Sequence, residues 1–279
     1  MAETMSQQEN VDFYQRAENY FFSQKTRKAE QPYFIFVFAS PGAGKSTNIK
    51  PLLKEQFNQD KPVIIEVDEL KSFIPEGMDI DKTTNDWFIK LVDKAISERR
   101  HVVIFRQRNM LKPQQTRRLY QKAKKAGYIT QAKIVALDKV RSRLGVIHRY
   151  EHAVDTLHQD ETSQIENYPR KPDFIKHYIF YKALPVITDI CSRSDLVDIV
   201  EVYDRERNKI AWQNKLTGEK SAQTPLQALK RERTRSWAPW EKEKFNRRYK
   251  EAEAKMKMHH RSWVDFVKFK WLTFTTKNK

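Results

Sequence analysis

Short apolar segments alternate with amphipathic ones along most of the chain. The apolar segments are rich in aromatic and β-branched residues and have the length of buried strands. They lie at 33–38, 62–67, 101–105, 129–137 and 196–203, and a short hairpin strand is predicted at 208–212. Because strands that alternate with helices are joined by crossover connections, the pattern predicts an α/β fold with a mainly parallel sheet and helices on both faces.

The segments between the strands carry large apolar residues at helical spacing. Helices are predicted at 9–28 (one or two), 83–99, 113–126, 138–158 and 172–193. Pro113 and Gly127 stand where a helix begins and ends, and Asp138 is a good N-cap. Pro185 predicts a kink. The polar stretch 159–170 is predicted to be a mobile loop.

A glycine-rich turn follows the first strand. The sequence from Ser40 reads SPGAGKST, and a helix is predicted to begin near Lys45. Glycines let backbone N–H groups approach an anion, and a helix N-terminus favours negative charge, so the turn is typical of the P-loop of P-loop NTPases. Ala39 replaces the first glycine of the full G-x-x-x-x-G-K-[ST] pattern, and an ordinary turn that binds nothing is the alternative. The predicted nucleotide-binding residues are Gly42, Ala43, Gly44, Lys45, Ser46 and Thr47, with the Ser46 hydroxyl also a ligand for Mg²⁺.

Further polar residues follow the second and third strands. In an open parallel sheet the ligand lies at the carboxyl ends of the strands, so these residues are expected beside the P-loop. Asp68 is predicted to act as a general base or to bind a ligand of the metal ion rather than the ion itself. The alternative is that Asp68 is only a helix N-cap. The two arginines after the third strand suggest an acceptor that carries phosphate, because arginine pairs bidentately with phosphate, and the alternative is that both point to solvent. The predicted substrate-binding residues are Lys71, Arg106, Gln107 and Arg108.

Phosphoryl transfer also needs positively charged side chains beside the negatively charged phosphoryl group that is transferred. The predicted helix at 138–158 offers Arg141, Arg143 and Arg149, whereas the polar loop and its end offer Arg170 and Lys171. A mobile basic segment that closes over ATP is a common lid design. The residues together indicate an ATP- and Mg²⁺-dependent kinase.

Composition narrows the class of protein. The 279 residues include 39% hydrophobic residues, which fits a globular fold. No apolar run approaches the roughly 20 residues of a membrane span, and the N-terminus lacks the apolar region of a signal peptide. The single cysteine, Cys191, excludes an internal disulfide and fits a reducing compartment, so a cytoplasmic location is expected. Its apolar surroundings indicate a core residue rather than a nucleophile. The pair His259 and His260 is too small for a metal site, and no Cys/His cluster is expected.

The residues at 213–279 are predicted to form a basic, aromatic-rich helical extension of a kinase domain at 1–212. The chain has a net charge of +17, and from Leu226 onwards 16 Lys and Arg stand against 6 Asp and Glu. Thr224 and Pro225 predict a helix start, and apolar residues recur at helical spacing beyond it. The apolar stripe is expected to dock on the kinase domain or on a partner. The alternatives are weak contact with single-stranded nucleic acid, on which aromatic side chains stack, and inhibition of the kinase site in cis.

Several segments together resemble the zeta toxins of bacterial epsilon–zeta toxin–antitoxin systems. The matching sequences are SPGAGKST, VIIEVDELKSFIP, AGYITQAKIVALDKVRSRLGVIHRYEHAV, PDFIKHYIFYKALPVITDI, LVDIVEVYDRERNKI and, more weakly, TPLQALKRERTRS. The most specific is LGVIHRYE at 144–151, which resembles the family's LGxxxRYE segment. The likeness covers residues 10–235.

The resemblance implies a kinase that phosphorylates the sugar of UDP-N-acetylglucosamine and is held in check by an antitoxin. By position, it implies that Lys45 and Ser46 handle ATP and Mg²⁺. Asp68 corresponds to the catalytic aspartate, and Arg149 corresponds to the first of two arginines that contact the γ-phosphate. The second is expected in the polar loop, where Arg170 is chosen because it stands just before a proline.

The chain departs from the family pattern after the third strand. Where the family has an acidic Glu-Gly-Thr-Gly-Arg-like segment, this chain has FRQRN from Phe105, and a second acidic contact falls near Ile89. The ATP half of the site is kept and the acceptor half is not. A nucleotide sugar such as UDP-N-acetylglucosamine, a dinucleotide and a nucleic-acid end are therefore all candidate acceptors. A non-enzymatic protein that binds nucleotide and nucleic acid is the remaining alternative.

Overall fold

The computed structural model describes residues 7–23, 26–58, 60–159 and 171–274. Six strands in these ranges form one sheet in the order β2-β3-β1-β4-β5-β6. The first five are parallel and β6 runs antiparallel beside β5, which confirms the predicted sheet and its hairpin strand. The strands are β1 (Tyr33–Ala39), β2 (Val63–Glu66), β3 (Val102–Phe105), β4 (Ile129–Val135), β5 (Ile199–Tyr203) and β6 (Lys209–Asn214).

Helices connect the strands at the places where the apolar spacing predicts them. Asp138 accepts the backbone N–H groups of Val140 and Arg141, as its predicted role of N-cap requires. The second strand ends earlier than predicted, so Asp68 lies in the first turn of a short helix. The helices are α1 (Gln7–Phe22), α2 (Lys45–Gln56), α3 (Val67–Lys71), α4 (Ile80–Ser97), α5 (Pro113–Lys125), α6 (Lys139–Gln159), α7 (Phe174–Arg193), α8 (Pro225–Thr234), α9 (Pro239–Met258) and α10 (Trp263–Phe274), with a 3-10 turn at Gln107–Leu111.

Alternating side chains of β1 divide the core into two layers. Phe34, Phe36 and Phe38 pack in the larger layer with apolar residues of α1, α4, α5, α7 and α8. Ile35 and Val37 pack on the other face with apolar residues of α2. Successive strand residues point to opposite faces, so a run that is apolar throughout is buried on both sides. The strand that leads into the glycine-rich turn is therefore the centre of the fold.

Of the helices after β6, α9 and α10 pack on α6, whereas α8 packs on α7 and on strands β5 and β6. Leu144 and Ile147 of α6 form a third apolar cluster with Trp237, Phe245 and Phe269. The apolar stripe of the basic tail therefore covers part of the kinase-like fold. None of the helices in the described residues has the length and apolar character of a membrane span.

A buried network of charges joins the same elements. The Arg141 guanidinium contacts the carboxylates of Asp138 and Glu241. Arg235 adds an ion pair of 2.6 Å to Glu241 and another of 2.6 Å to Glu232. Each buried charge thereby meets an opposite charge, as burial requires. The network fixes the start of α6 against α8 and α9.

Candidate active site

The glycine-rich turn after β1 is built for the close approach of an anion. Gly42 and Gly44 have φ angles of 75° and 78°, in the left-handed region that glycine adopts without steric cost. Gly44 is the N-cap of α2, so the N-terminus of that helix opens onto the turn. The hydroxyl of Ser40 and the side-chain nitrogen Nδ2 of Asn48 are buried without a hydrogen-bond partner among the described residues. Unpaired buried donors beside a helix N-terminus fit the phosphates of a nucleotide.

Helix α6 lies directly against this turn. A Cβ atom added to Gly42 would stand 2.2 Å from the carbonyl oxygen of Ser142, and one added to Gly145 would stand 2.3 Å from the carbonyl oxygen of Gly42. The Ser142 hydroxyl donates to the carbonyl of Pro41 at 2.7 Å and lies 2.8 Å from Nε2 of His177 on α7. Backbone contact and side-chain bonds together hold the turn against two helices.

Lys45 occupies the centre of the site. Desolvation lowers the pKa of its ammonium group, and the negative charges of Asp68 and Glu66 oppose that effect. The charge of Arg149 lowers the pKa further, which places this arginine within electrostatic reach of the lysine. The Nζ atom also lies 5.9 Å from the centre of the Phe105 ring. The structure thus brings Lys45, Asp68 and Arg149 together from three different elements.

Glu66 is a site residue that the sequence did not single out. Its carboxylate accepts the Ser46 hydroxyl at 2.6 Å and pairs with Lys50 at 2.6 Å. Burial alone would raise the pKa of Glu66, but the hydrogen bonds from Lys50 and Ser46 hold the pKa below its usual value. The carboxylate is thus kept charged beside the helix that carries the P-loop lysine. An acid that ends an apolar strand next to a P-loop is the signal that identifies such a residue.

The oxygen atoms here fit a magnesium ion. Mg²⁺ prefers oxygen ligands, commonly a hydroxyl, one or two carboxylates and the phosphates of the substrate. The Ser46 hydroxyl and the Glu66 carboxylate, 2.6 Å apart, supply such a pair. Asp68 is exposed in the first turn of α3 and Lys71 ends that helix, which follows the carboxyl end of β2.

Arg106 is buried, whereas Arg108 is exposed. The Arg106 guanidinium lies 4.2 Å from the centre of the Phe88 ring and donates to Asn85 at 3.1 Å. Its Nη1 atom is buried and has no hydrogen-bond partner in the described residues. Burial, together with the charge of Arg108, lowers the pKa of Arg106 to about 10. Gln107 is partly exposed and begins the 3-10 turn.

The other basic residues that were predicted to contact the transferring phosphoryl group make different contacts in the structure. Arg141 is held in the buried ion-pair network, so it does not serve the site. The Arg143 guanidinium lies 5.5 Å from the centre of the Phe174 ring. Lys171 pairs with Asp265 of α10 at 2.9 Å. Arg170 lies outside the described residues.

Arg205 is a cation at the turn that the sequence did not predict. It follows β5, and its Nη1 atom donates to the carbonyl of Gly42 at 3.5 Å. Burial and the charge of Arg248 lower the pKa of Arg205 to about 10. The residue stands at the carboxyl end of a strand, where ligands of such sheets bind. Cys191 is buried in the larger core layer, as predicted, and burial raises the pKa of its thiol to about 12.

The parallel sheet, the glycine-rich turn and the converging charges define a P-loop kinase-like protein. The sequence model of the zeta toxin family matches residues 18–217. The chain therefore belongs to the zeta toxin family, a family of P-loop kinases. No curated protein sequence matches the chain significantly.

Solved structures share the fold. A chain of the PezAT chromosomal toxin–antitoxin system of Streptococcus pneumoniae aligns with a TM-score of 0.69 and 20% identity, over 91% of this chain and 98% of that one. A chain of the native AvrRxo1-ORF1:-ORF2 complex aligns with a TM-score of 0.52 and 14% identity, over 77% of this chain and 70% of that one. The same complex with ATP gives a TM-score of 0.50 and 14% identity, over 82% and 73%.

Proposed function

We propose that the protein is an ATP- and Mg²⁺-dependent kinase of the zeta-toxin type. Its acceptor is a hydroxyl of a nucleotide sugar such as UDP-N-acetylglucosamine. The observation that carries the proposal is the contact of 2.6 Å between the Ser46 hydroxyl and the Glu66 carboxylate at the start of the helix that carries Lys45, together with the effect of the charges of Asp68 and Arg149 on the pKa of Lys45. Membership of the zeta toxin family and the ATP complex of a protein with the same fold support it.

Each charged group has a separate role in phosphoryl transfer. Lys45 and the N–H groups of the glycine-rich turn hold the β- and γ-phosphates. Asp68 takes the proton of the acceptor hydroxyl as that oxygen bonds to the γ-phosphorus and the bond to the leaving ADP oxygen breaks. Arg149 stabilises the negative charge of the transferring group. The Ser46 hydroxyl, with the Glu66 carboxylate beside it, would hold Mg²⁺, which when bound would neutralise part of the charge of the phosphates.

Arg106 gives the acceptor its class. A buried guanidinium with an unpaired Nη1 at the end of β3 suits an anionic group of the acceptor. A nucleotide sugar carries such phosphates. So do a dinucleotide and a nucleic-acid end, and the arginines that replace the family's acidic segment favour these as the second candidates.

We further propose that the protein acts in the cytoplasm as a toxin that an antitoxin protein neutralises. The solved relatives that support this are a toxin–antitoxin system and a two-protein complex. The single cysteine is buried and unpaired, which fits a reducing compartment. Co-expression with the protein encoded next to it, followed by co-purification and a growth assay, tests this part.

One incubation separates the possible acceptors. The full chain is mixed with ATP and Mg²⁺ and with a nucleotide sugar, a dinucleotide or an oligonucleotide, and each acceptor is weighed by mass spectrometry. We expect the nucleotide sugar to gain one phosphoryl group and the Lys45→Ala variant to give none. If only another acceptor gained a phosphoryl group, the proposed substrate class would be wrong and the assignment as a kinase would stand.

The non-enzymatic alternative makes an opposite forecast. A basic tail that binds single-stranded nucleic acid would do so with an affinity that falls steeply with salt and is the same in the Lys45→Ala variant. That result, together with no phosphate gain by any acceptor, would overturn the kinase proposal.

A further inference from the structure

Two histidines and a glutamate meet where α6 packs against α9. His148 and His152 are four residues apart on α6, so their rings share one face of that helix. Glu251 reaches them from α9. The Nε2 atom of His148 lies 2.9 Å from a carboxylate oxygen of Glu251 and 3.1 Å from Nε2 of His152. We refer to these three residues as the histidine–glutamate cluster.

One hydrogen on Nε2 of His148 cannot form a full hydrogen bond to both Glu251 and His152. If Nε2 of His148 carries a hydrogen, that single N–H serves either Glu251 or His152. If instead His152 donates to a bare Nε2 of His148, the lone pair of that nitrogen faces a carboxylate oxygen at 2.9 Å with no hydrogen between them. A cation that accepts a lone pair from each of the three side chains satisfies all of them at once.

A neighbouring cluster shows the difference. The two ring nitrogens of His259 face two different carboxylates, Glu151 at 2.7 Å and Asp155 at 2.8 Å. Each ring nitrogen of His259 faces a carboxylate of its own, so no nitrogen is shared between two partners in that cluster. The sharing of Nε2 of His148 therefore sets the histidine–glutamate cluster apart.

The distances fit a tetrahedral metal. Bonds of about 2.0–2.2 Å from Zn²⁺ to imidazole nitrogen and carboxylate oxygen place neighbouring ligand atoms about 3.3 Å apart. The two contacts of 2.9 and 3.1 Å are slightly shorter than this spacing, and the three ligand atoms all lie within 4.8 Å of one another.

We propose that His148, His152 and Glu251 bind a divalent transition metal of the zinc class, with a water molecule in the fourth position. Two imidazoles and a carboxylate suit Zn²⁺ and its first-row neighbours, whereas Mg²⁺ prefers oxygen ligands alone. The His148 and Glu251 side chains are 17% and 45% exposed, so the cluster is open to ions in solution. The site is separate from the predicted magnesium site at the P-loop.

The metal would link the tail to the catalytic helix. Arg149 lies between the two histidine ligands in the sequence, on the same turn of α6. A metal ion bound by the two histidines and Glu251 would connect α9 to the part of α6 that lies beside the ATP site. Metal binding is therefore expected to stabilise the packing of the tail on the kinase-like fold, since a ligand that binds only the folded state raises its stability.

Zinc titration of the tag-free full chain tests the proposal. After treatment with a chelator, the protein competes for Zn²⁺ with a chromophoric chelator. We expect one equivalent to bind to the wild type, and at least tenfold weaker binding for the His152→Asn and Glu251→Gln variants. The matched control is His260→Asn, at an exposed histidine with a φ of 50° that asparagine tolerates.

Two further readings make the outcome decisive. Zn²⁺ should raise the thermal midpoint of the wild type and of the control but not of His152→Asn, and Mg²⁺ should not compete with it. Circular dichroism establishes that the variants are folded, and Glu251→Gln changes only a partly exposed side chain. No Zn²⁺ binding by the wild type, or equal binding by all variants, would overturn the site. These readouts are independent of phosphate transfer, so they stand or fall separately from the proposed function.

Discussion

Gly145 and Gly42 bring two backbones into direct contact: a Cβ atom on Gly145 would stand 2.3 Å from the carbonyl oxygen of Gly42. Gly145 lies inside α6, where glycine is normally unfavourable by about 1 kcal/mol relative to alanine. Its presence is explained by the turn it touches, because any side chain would push α6 away from the glycine-rich loop. The same helix carries Arg149, so this contact also sets the distance from the arginine to the P-loop.

Replacement of Gly145 by alanine should therefore harm both stability and activity. Overpacking typically costs about 1–3 kcal/mol, which outweighs the gain in helix propensity. We expect a lower free energy of unfolding in urea and at least a tenfold loss of phosphate transfer. The control is Gly127→Ala, where φ is 78° but the nearest atom to a Cβ is 3.9 Å away and the site is remote. That variant should lose stability and keep its activity. A Gly145→Ala protein more stable than the wild type would refute the contact.

Glu66 should govern the dependence on magnesium. The Glu66→Gln variant keeps the shape of the side chain but removes the charge that Ser46 and Lys50 meet at 2.6 Å. Loss of such a group typically lowers metal affinity by about 10- to 100-fold. The Mg²⁺ concentration for half-maximal rate should rise accordingly. Glu55→Gln is the control, at an exposed carboxylate on α2, the helix that also carries Ser46. An unchanged magnesium curve for Glu66→Gln would contradict the assignment.

Arg106 should affect the acceptor more than ATP. A hydrogen bond to a charged group contributes about 1.5–3 kcal/mol, so an Arg106→Met variant should raise the KM for the acceptor by roughly 10- to 100-fold. The KM for ATP should change little, since the P-loop holds that substrate. Arg118→Met is the control, at an exposed arginine of α5 that has no predicted role in the site. Equal effects on both KM values would mean that Arg106 acts on the fold alone.

His177 predicts a stability that falls in weak acid. Burial and the charges of Arg143, Lys139 and Arg233 lower its pKa to about 4. Its ordinary pKa is about 6.5, so between these values the unfolded chain holds a proton that the folded chain does not. The contribution of His177 to the free energy of unfolding is fully present above about pH 6.5. It falls by about 3 kcal/mol as the pH decreases to about 4 and does not change further below that pH.

The His177→Gln variant tests that pH dependence. Glutamine has no titrating ring, so the difference in free energy of unfolding between wild type and variant should shrink from pH 7 to pH 4. Denaturation in urea at half-unit pH steps measures it. Glu201 and Glu241, whose pKa values are lowered to about 2, act at lower pH and are common to both proteins. A difference that stays constant over this range would exclude His177 as the titrating group.

The sequence predicted the parts of the molecule that are encoded locally. The P-loop was recognisable because its strand, glycines and lysine are contiguous, and the strand pattern gave the sheet. Glu66 was missed because an acid inside an apolar run reads as an ordinary strand position. The roles of Gly145 and Arg205 depend on contacts with Gly42, more than 100 residues away in each case. Contacts between residues so far apart produce no recognisable spacing pattern in a single sequence.

The metal cluster and the acceptor site show the same limit. His148 and His152 have the spacing of helical metal ligands, but their third partner, Glu251, comes from a different helix. The unpaired Nη1 of Arg106 is a property of its burial against Phe88, whereas the sequence shows only a charged residue after a strand. The role of Arg170 rests on the family resemblance and stays a prediction.

Asp68 provides the most direct test of the kinase assignment. The full chain and its Asp68→Asn variant are incubated with ATP, Mg²⁺ and the acceptor that gains phosphate, and the product is measured by mass over time. The variant keeps the size of the side chain but cannot take the hydroxyl proton, and Asp86→Asn, at an exposed position on α4, is the control. We predict a loss of transfer of at least 100-fold in Asp68→Asn alone, in line with the roughly 10²–10⁴-fold contribution of a general base. Wild-type transfer by Asp68→Asn would contradict the account.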